Sequence, residues 1–372
     1  MIKRVSVLFL IAIMLAAFGC AKPSSEQGND NKETPIPQEN ANASDSRQAL
    51  LGFIIDDDGS MAAYMAMYGF LRTAETLGYP AKLFRAKPGA PAQSAVQNAI
   101  DEGCTGLMVF NPGGVNDKAV KLAVDSGVNV VIPYHECAIP GINSNVVADT
   151  GEYIEELSRG LATRLTERSL KSGRILVYGR DTAATCEQFA RSIGEYYPQY
   201  TVDSFNRVAV DEEGAIEELA QYILYNRDIK GMYVADSDLA SIAVTARKRA
   251  QNVFSSKGAP TPTPVQGTPV AAPALTPNPN LLTSITVTIF ASGLSDENYK
   301  LFNDSDIYAL CIEPYYEAAT QATMYLDKLT GGDEIPERAR INRPIAYADT
   351  IDKYTAIFDR MKEMFGILEQ NG

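Results

Sequence analysis

The chain has 372 residues, 33 lysines and arginines against 46 aspartates and glutamates, and a formal net charge of −13. Hydrophobic residues make up 45% of it, which is ordinary for a globular α/β protein and too high for a disordered one. The acidic balance argues against nucleic-acid binding, because neutralising phosphates requires a basic face. The single histidine, His135, excludes a histidine-rich metal site and makes any Ser-His-Asp or Cys-His mechanism depend on one residue.

The N-terminus has the pattern of an export signal. Lys3 and Arg4 precede an apolar run at 5–18, which is too short for a comfortable membrane span. The run ends just before Cys20 and resembles a bacterial lipoprotein signal, in which the cysteine is lipidated and becomes the first residue. We therefore expect a signal peptide at 1–19, then the lipidated Cys20 and a disordered polar linker over 20–48. An ordinary secretory signal with an incidental cysteine is the alternative.

From residue 49 onward, short apolar runs alternate with helical patterns that end at glycine, as in βαβ units. The runs predict strands at 49–55, 81–85, 106–110, 128–133, 173–178, 202–210, 231–235 and 285–290. The intervening patterns predict helices at 62–77, 94–102, 117–126, 153–169, 186–196, 212–225 and 239–250. Two successive sets of this kind indicate an α/β protein with two Rossmann-like, doubly wound parallel sheets.

A proline-rich segment at 257–280 interrupts this alternation and cannot form a helix or an interior strand. It joins a helix to the next strand, so it leaves the domain at the amino ends of the strands. Ligands of open α/β sheets bind at the opposite, carboxyl edge. We therefore expect a disordered surface insertion away from any site, with a partner-binding or glycosylated loop as the alternative.

Cross-links and metals receive little support from the sequence. After Cys20, the remaining cysteines are too few for a disulfide framework and include no C-x-x-C motif. We expect buried thiols at Cys104, Cys137, Cys186 and Cys311, with one disulfide still possible. Residues 56–60 (DDDGS) lack the spacing of an EF-hand loop, and no P-loop motif is present. No metal and no cofactor are expected.

Five stretches, in order, resemble the sugar-type (ribose-binding-like, type I) periplasmic substrate-binding proteins of ABC transporters. They are MAMYGFLRTAETLGY at 65–79, AVQNAIDEGCTGLMVFNP at 95–112, KLAVDSGVNVVIPY at 121–134, VVADTGEYIEELSRGLATRL at 146–165 and GMYVADSDLASIAV at 231–244. The resemblance covers about residues 49–355. It implies two lobes joined by three hinge crossings, with the ligand in the cleft between them.

Placed by this resemblance, the crossings lie near 147–150, 310–314 and 341–345. The N-terminal lobe would then comprise 49–149 and 314–342, and the C-terminal lobe 150–313 and 343–372. The segment 350–368 has helical spacing and would pack as a closing helix.

Polar residues follow the carboxyl ends of the predicted strands, where ligands of such sheets bind. Carboxylates and amides there could bind hydroxyl groups, and aromatic faces could stack on a ring. The candidate ligand-binding residues are Asp56, Asp57, Tyr64, Asn111, Tyr134, His135, Glu136, Arg180, Asp181, Gln188, Asp236, Asp238, Ser292 and Glu313.

The sequence departs from the family pattern at several of these positions. Tyr134 and His135 stand where the family tends to have Asp-Arg, Gln188 stands at an arginine position, and the strand ending at Ser292 lacks the usual Asp. Arg180 is then the one obvious cation left. An acidic cleft with tyrosines favours a neutral sugar or polyol and disfavours phosphorylated or carboxylated ligands. A nucleoside, a cationic amine or a degenerate site are the alternatives.

The function implied by the resemblance is capture of a small polar solute, most simply a sugar or polyol, for delivery to an ABC permease. The protein would be a monomer, exported and lipid-anchored to the outer face of the cytoplasmic membrane, or periplasmic where the host has an outer membrane. The alternative is a ligand sensor of the same fold that signals through a membrane receptor. Neither an enzyme nor a LacI-type DNA-binding regulator is expected, because nucleophile motifs and a basic helix-turn-helix are missing from the sequence.

Overall fold

A computed structural model describes residues 49–56, 59–86, 91–149, 151–209, 211–257 and 285–367. The predicted signal peptide, Cys20, the linker, Asp57 and the proline-rich insertion from residue 258 onward lie outside the described residues.

The described elements follow one another in three runs along the chain. The first run is β1 (Leu50–Asp56), α1 (Met61–Leu77), β2 (Ala81–Ala86), α2 (Gln93–Asp101), β3 (Cys104–Val109), α3 (Asp117–Asp125), β4 (Asn129–Tyr134) and β5 (Ser144–Ala148). The second is α4 (Gly151–Glu167), β6 (Gly173–Tyr178), α5 (Ala183–Tyr196), β7 (Tyr200–Phe205), α6 (Glu212–Tyr225), β8 (Ile229–Val234), α7 (Ala240–Lys257), β9 (Thr288–Ser292), α8 (Asp296–Asn303) and β10 (Ala309–Cys311). The third is α9 (Tyr315–Gly331), β11 (Arg338–Ile341), β12 (Ile345–Ala346) and α10 (Ile351–Phe365), and short 3-10 turns lie at Pro112–Gly114 and Ser237–Leu239.

The strands form two sheets with the same winding. Their orders are β11-β5-β4-β3-β1-β2 and β12-β10-β9-β8-β6-β7. The pairings are parallel, except that β12 is antiparallel to β10. Each sheet reverses its winding beside its first strand, and ligands of doubly wound folds bind at the carboxyl ends of strands near that point. The predicted α/β fold of two doubly wound parallel sheets is confirmed.

Both sheets are covered by helices on both faces. Successive strand residues point to opposite faces, and in β1 Phe53 packs in one core and Ile54 in another, both fully buried. In β6, Ile175 and Leu176 divide in the same way. This double burial explains why the sequence shows continuous apolar runs rather than alternation.

Local signals fix both ends of α1. Ser60 caps α1 by accepting a hydrogen bond from the Ala63 amide at 3.2 Å. Gly78 ends the helix in the left-handed conformation, with φ 77°. Within α1, a Cβ at Gly69 would lie 2.5 Å from the carbonyl oxygen of Tyr316. Glycine therefore permits the close packing of α1 on α9.

The chain passes between the sheets after β5, after β10 and between β11 and β12. The terminal helix α10 adds a further connection. Ile351 at its start belongs to the core of the second lobe, whereas Phe358 and Met361 pack against Tyr68 of α1 and Tyr316 of α9. We expected 343–372 to belong to the second lobe, and α10 instead contacts both.

No helix among the described residues is long and apolar enough to cross a membrane.

Candidate functional site

Two cavities lie at the carboxyl ends of the strands. The interlobe cavity has a volume of about 220 Å³ and is walled by α1, α9, α10 and the loops after β8, β9 and β10. The crossing cavity measures about 680 Å³ and lies where β4, β5 and β11 end, beside the start of α4. Tyr315 lines both cavities. The walls of the interlobe cavity come from both lobes.

Tyr134, at the end of β4, lines the crossing cavity and contacts Glu313 and Tyr315, which line the interlobe cavity. Its φ of 68° is unusual for a bulky side chain, and the His135 amide closes a tight turn onto the Pro133 carbonyl at 2.8 Å. The Tyr134 hydroxyl donates a hydrogen bond to Glu313 and accepts one from Arg343 at 2.8 Å. Its ring packs on Tyr315 with centroids 4.1 Å apart. The strained turn therefore holds the Tyr134 side chain against the crossings after β10 and after β11.

Burial and nearby charges set the protonation states of Tyr134 and His135. Burial, reinforced by the Glu313 carboxylate, raises the pKa of Tyr134 far above its usual value. Burial and then the Arg343 guanidinium lower the pKa of His135 below 6.5. Tyr134 is therefore a neutral hydrogen-bond donor and His135 a neutral ring at pH 7.

A second network of polar side chains extends from Arg343 into the second lobe. The Tyr153 and Tyr233 hydroxyls lie 3.4 Å apart, and Tyr233 reaches Ser292 Oγ at 2.7 Å. The Arg343 guanidinium lies over the Tyr153 ring, 5.4 Å from its centroid, and is 3.3 Å from Glu313. Ser292 is buried. Its hydroxyl therefore serves this internal network.

In the first lobe, the predicted residues are mostly engaged within the protein. Asn111 is fully buried, donates to Asp117 at 2.9 Å and accepts from the Asn116 amide at 2.7 Å. Asp56 accepts from the Asn116 side chain at 3.2 Å. The Tyr64 ring packs on Phe365 of α10, with centroids 5.3 Å apart. These contacts order the loops beneath the cleft.

In the second lobe, Arg180 forms a clamp with two carboxylates. Its guanidinium binds both oxygens of Asp238, at 2.9 and 2.5 Å, and its amide donates to Asp236 at 2.7 Å. The hydrogen bond from Arg180 holds the pKa of Asp238 below its usual value. Asp181 is exposed. Gln188 Oε1 is buried without a hydrogen-bond partner in the described structure.

Arg180 lines neither of the two cavities, and further cations lie at the carboxyl ends of the strands. The crossing cavity is lined by Arg338, Arg340 and Arg343. They pair with carboxylates: Arg338 with Glu136 at 3.1 Å, Arg340 with Asp149 at 3.2 Å, and Arg343 with Glu313 at 3.3 Å. The crossing cavity is therefore polar and close to charge-balanced, whereas two carboxylates, Glu313 and Glu317, line the interlobe cavity.

Several residues of the site were missed from the sequence. Of the predicted residues that the structure describes, Glu313 alone lines the interlobe cavity, together with Ser237, Tyr315, Glu317 and Tyr354. The motif EPYYE at 313–317 directly after β10 was the available signal, because it places two carboxylates and tyrosines at the carboxyl end of a strand.

Cys104, Cys137, Cys186 and Cys311 are free thiols, so the possible disulfide is not formed. No group of three or more potential metal ligands occurs in the part of the chain that the structure describes.

Several solved structures with a similar architecture are solute-binding proteins. An arabinose-binding protein from Geobacillus stearothermophilus aligns with a TM-score of 0.58 at 13% identity, over 82% of this chain and 99% of that one. A periplasmic ribose ABC transporter protein from Conexibacter woesei gives 0.57 at 14% identity, over 84% and 95%. A carbohydrate transporter solute-binding protein from Agrobacterium radiobacter, in complex with D-arabinose, gives 0.56 at 14%, over 83% and 98%.

The chain has the type I periplasmic binding protein fold. Its likeness to these structures covers both lobes, since it spans nearly the whole length of each. No family model matches the sequence, and no curated protein matches it either. The interlobe cavity is lined by residues that follow β1, β8, β9 and β10, at the carboxyl edge of both sheets.

Proposed function

We propose that this protein is an extracytoplasmic solute-binding protein that captures a sugar or polyol between its lobes for import. The interlobe cavity carries this proposal, because its walls come from both lobes and from the crossing after β10. Its volume of about 220 Å³ lies below the range of about 300–1,000 Å³ for drug-sized ligands and suits a single sugar ring.

The lining fits a hydroxyl-rich ligand. Ser237, Glu313 and Glu317 supply hydroxyl and carboxylate partners, while Tyr315 and Phe358 supply aromatic faces. Structural neighbours were solved with D-arabinose, D-allose and myo-inositol bound, all of them small polyhydroxylated molecules. The fold and the lining thus favour the same ligand class.

Capture would proceed by lobe closure about the three crossings. A ligand that touches both lobes favours the closed arrangement by its differential contacts. The bonds among Tyr134, Glu313 and Arg343 join the crossings after β10 and β11 to the end of β4. They would keep the pivot rigid while the lobes move. No catalytic step is required.

Delivery would go to an ABC permease, with the protein a monomer held at the membrane through lipidated Cys20. The fold of the neighbours and the lipoprotein-type signal support this arrangement. Replacing Cys20 with Ala in the full chain tests the anchor. The variant should move from the membrane fraction to the soluble exported fraction, and continued membrane association would refute lipidation at this residue.

A thermal-shift screen of the purified chain tests ligand capture. The panel comprises neutral sugars, polyols, nucleosides and amines. A ligand at about 100 times its Kd should add about 2.7 kcal/mol to the free energy of unfolding and raise the melting midpoint. A response to sugars or polyols supports the proposal. A response to nucleosides alone, or to none of the panel, would overturn it.

A further inference from the structure

One carboxylate in the interlobe cavity is balanced, among the described residues, by its own backbone amide and the nearby Lys353 ammonium alone. Glu317, in the first turn of α9, lines the cavity, and its side chain receives no hydrogen bond from another side chain among the described residues. Glu313 differs, because Tyr134 and Arg343 already engage it. The cavity therefore presents one acid that pairs with a guanidinium and one that has no side-chain hydrogen bond among the described residues.

The surroundings of Glu317 are mainly apolar and aromatic. Met61, Met65, Ile357 and Phe358 form much of the wall around it. Removal from water raises the pKa of Glu317, and the Lys353 ammonium only partly offsets that effect. Lys353 is itself exposed and lies over the Tyr354 ring, 5.5 Å from its centroid. A desolvated carboxylate in such a pocket gains most from a cation that enters the pocket with the ligand.

The other charged and titratable groups of the cavity also favour a cation. Glu313 adds a second carboxylate, which Tyr134 and Arg343 already engage, and Tyr315 and Tyr354 add aromatic rings, a residue type whose faces attract positive charge. No arginine or lysine is among the cavity's lining residues in the described structure. The arginines instead line the crossing cavity, on the far side of Tyr315.

We propose that the natural ligand is an amino sugar or amino polyol, whose protonated amine lies against Glu317 while Ser237, Glu313 and the tyrosines bind its hydroxyl groups. This inference rests on the proposed function and names the ligand class for the same cavity. It reconciles the hydroxyl-rich ligands of the structural neighbours with a cavity whose unbalanced charge is negative.

Matched sugar pairs test the inference by titration calorimetry of the purified chain near pH 7, where a primary amine of the α-amino type is largely protonated. The pairs are glucosamine with glucose, galactosamine with galactose, and mannosamine with mannose. Each pair differs at one hydroxyl, so size is nearly constant. In at least one pair, the amino sugar should bind about tenfold or more tightly than its neutral counterpart, equivalent to about 1.4 kcal/mol.

Two variants test whether Glu317 causes the preference for the amino sugar. Glu317→Gln should abolish most of the preference for the amine, measured as the ratio of the two affinities within each sugar pair. Glu363→Gln makes the same charge change at an exposed residue of α10 outside the cavity and should leave the preference intact. A melting curve of unliganded Glu317→Gln confirms that it is folded before titration.

The outcomes separate the two proposals. Neutral sugars that bind as well as or better than their amino forms would overturn the amino-sugar assignment and leave sugar capture standing. A preference for the amine that survives in Glu317→Gln would overturn the role of Glu317. Absence of binding by every sugar of both kinds would overturn this inference, and the wider thermal-shift panel would then decide on capture itself.

Discussion

Arg343 donates a hydrogen bond of 2.8 Å to the hydroxyl of Tyr134, and this contact ties the last crossing to the end of β4. The two residues are 209 positions apart in sequence. Glu313, from the crossing after β10, accepts from the same hydroxyl. The Tyr134 hydroxyl therefore links two crossing segments to the first lobe, in the hinge region between the lobes.

Replacing Tyr134 with Phe should lower the free energy of unfolding by about 1–3 kcal/mol. The change removes a buried donor to a carboxylate and an acceptor for a guanidinium, so both charges lose a partner. Chemical denaturation provides the measurement. Tyr225→Phe, at an exposed position of α6, is the control and should change stability by less than about 0.5 kcal/mol. Equal effects of the two substitutions would show that the hydroxyl does not stabilise the crossings.

His135 should titrate below pH 6.5 in the folded protein. Burial and the nearby Arg343 both disfavour its protonated form. The folded state favours the neutral ring. The free energy of unfolding therefore decreases as the pH falls from about 6.5 through the lower pKa of His135 in the folded state. The chain has one histidine, so its NMR signal is unambiguous. Arg343→Ala should raise the midpoint, and a midpoint at or above 6.5 in the native protein would contradict this account.

Replacing Met361 with Ala should cost about 2–5 kcal/mol. Met361 is fully buried among Tyr68, Tyr316 and Phe358, so the shorter side chain leaves a cavity where α10 meets the first lobe. Hydrogen exchange should then show faster opening of α10. Met364→Ala, at an exposed position of the same helix, supplies the control. If both variants were equally stable, α10 would not be a firm connection between the lobes.

Glu317→Gln should raise the thermal midpoint of the unliganded protein at pH 7. Burial raises the pKa of Glu317, so the folded state favours the neutral acid. Above the folded pKa, ionisation of Glu317 therefore costs free energy of unfolding. Glutamine removes that cost. The advantage should shrink as the pH falls through the folded pKa and vanish below about 4.5. Melting curves across this range measure it, and an advantage independent of pH would contradict the assignment.

The fold could be predicted because its signals are local. The runs at 106–110 and 128–133 are continuous and apolar, as expected of strands buried on both faces, and they form β3 and β4. Glycines such as Gly78 mark helix ends because they adopt the left-handed conformation. These properties depend on a few neighbouring residues, which a single sequence contains.

The candidate site could be predicted only in part, because its chemistry depends on distant pairings. Arg338 meets Glu136 across 202 positions, so the partner of either is invisible in a local pattern. Asn111 follows a strand, as a ligand-binding residue would. Its side chain, however, is already hydrogen-bonded to Asp117 and to the Asn116 amide. Position at a strand end predicts proximity to the cleft but not which polar atoms remain free for a ligand.

The central claim is that a sugar-class ligand binds in the interlobe cavity, and titration calorimetry of a cavity-filled variant tests it most directly. Ala62 lines the cavity near the start of α1, so Ala62→Phe should fill it, whereas Ala62→Ser should leave it open. With the best sugar or amino sugar of the panel, we predict binding to the native chain and to Ala62→Ser, and a loss of at least about tenfold in Ala62→Phe. Unchanged affinity in a folded Ala62→Phe variant would contradict the account.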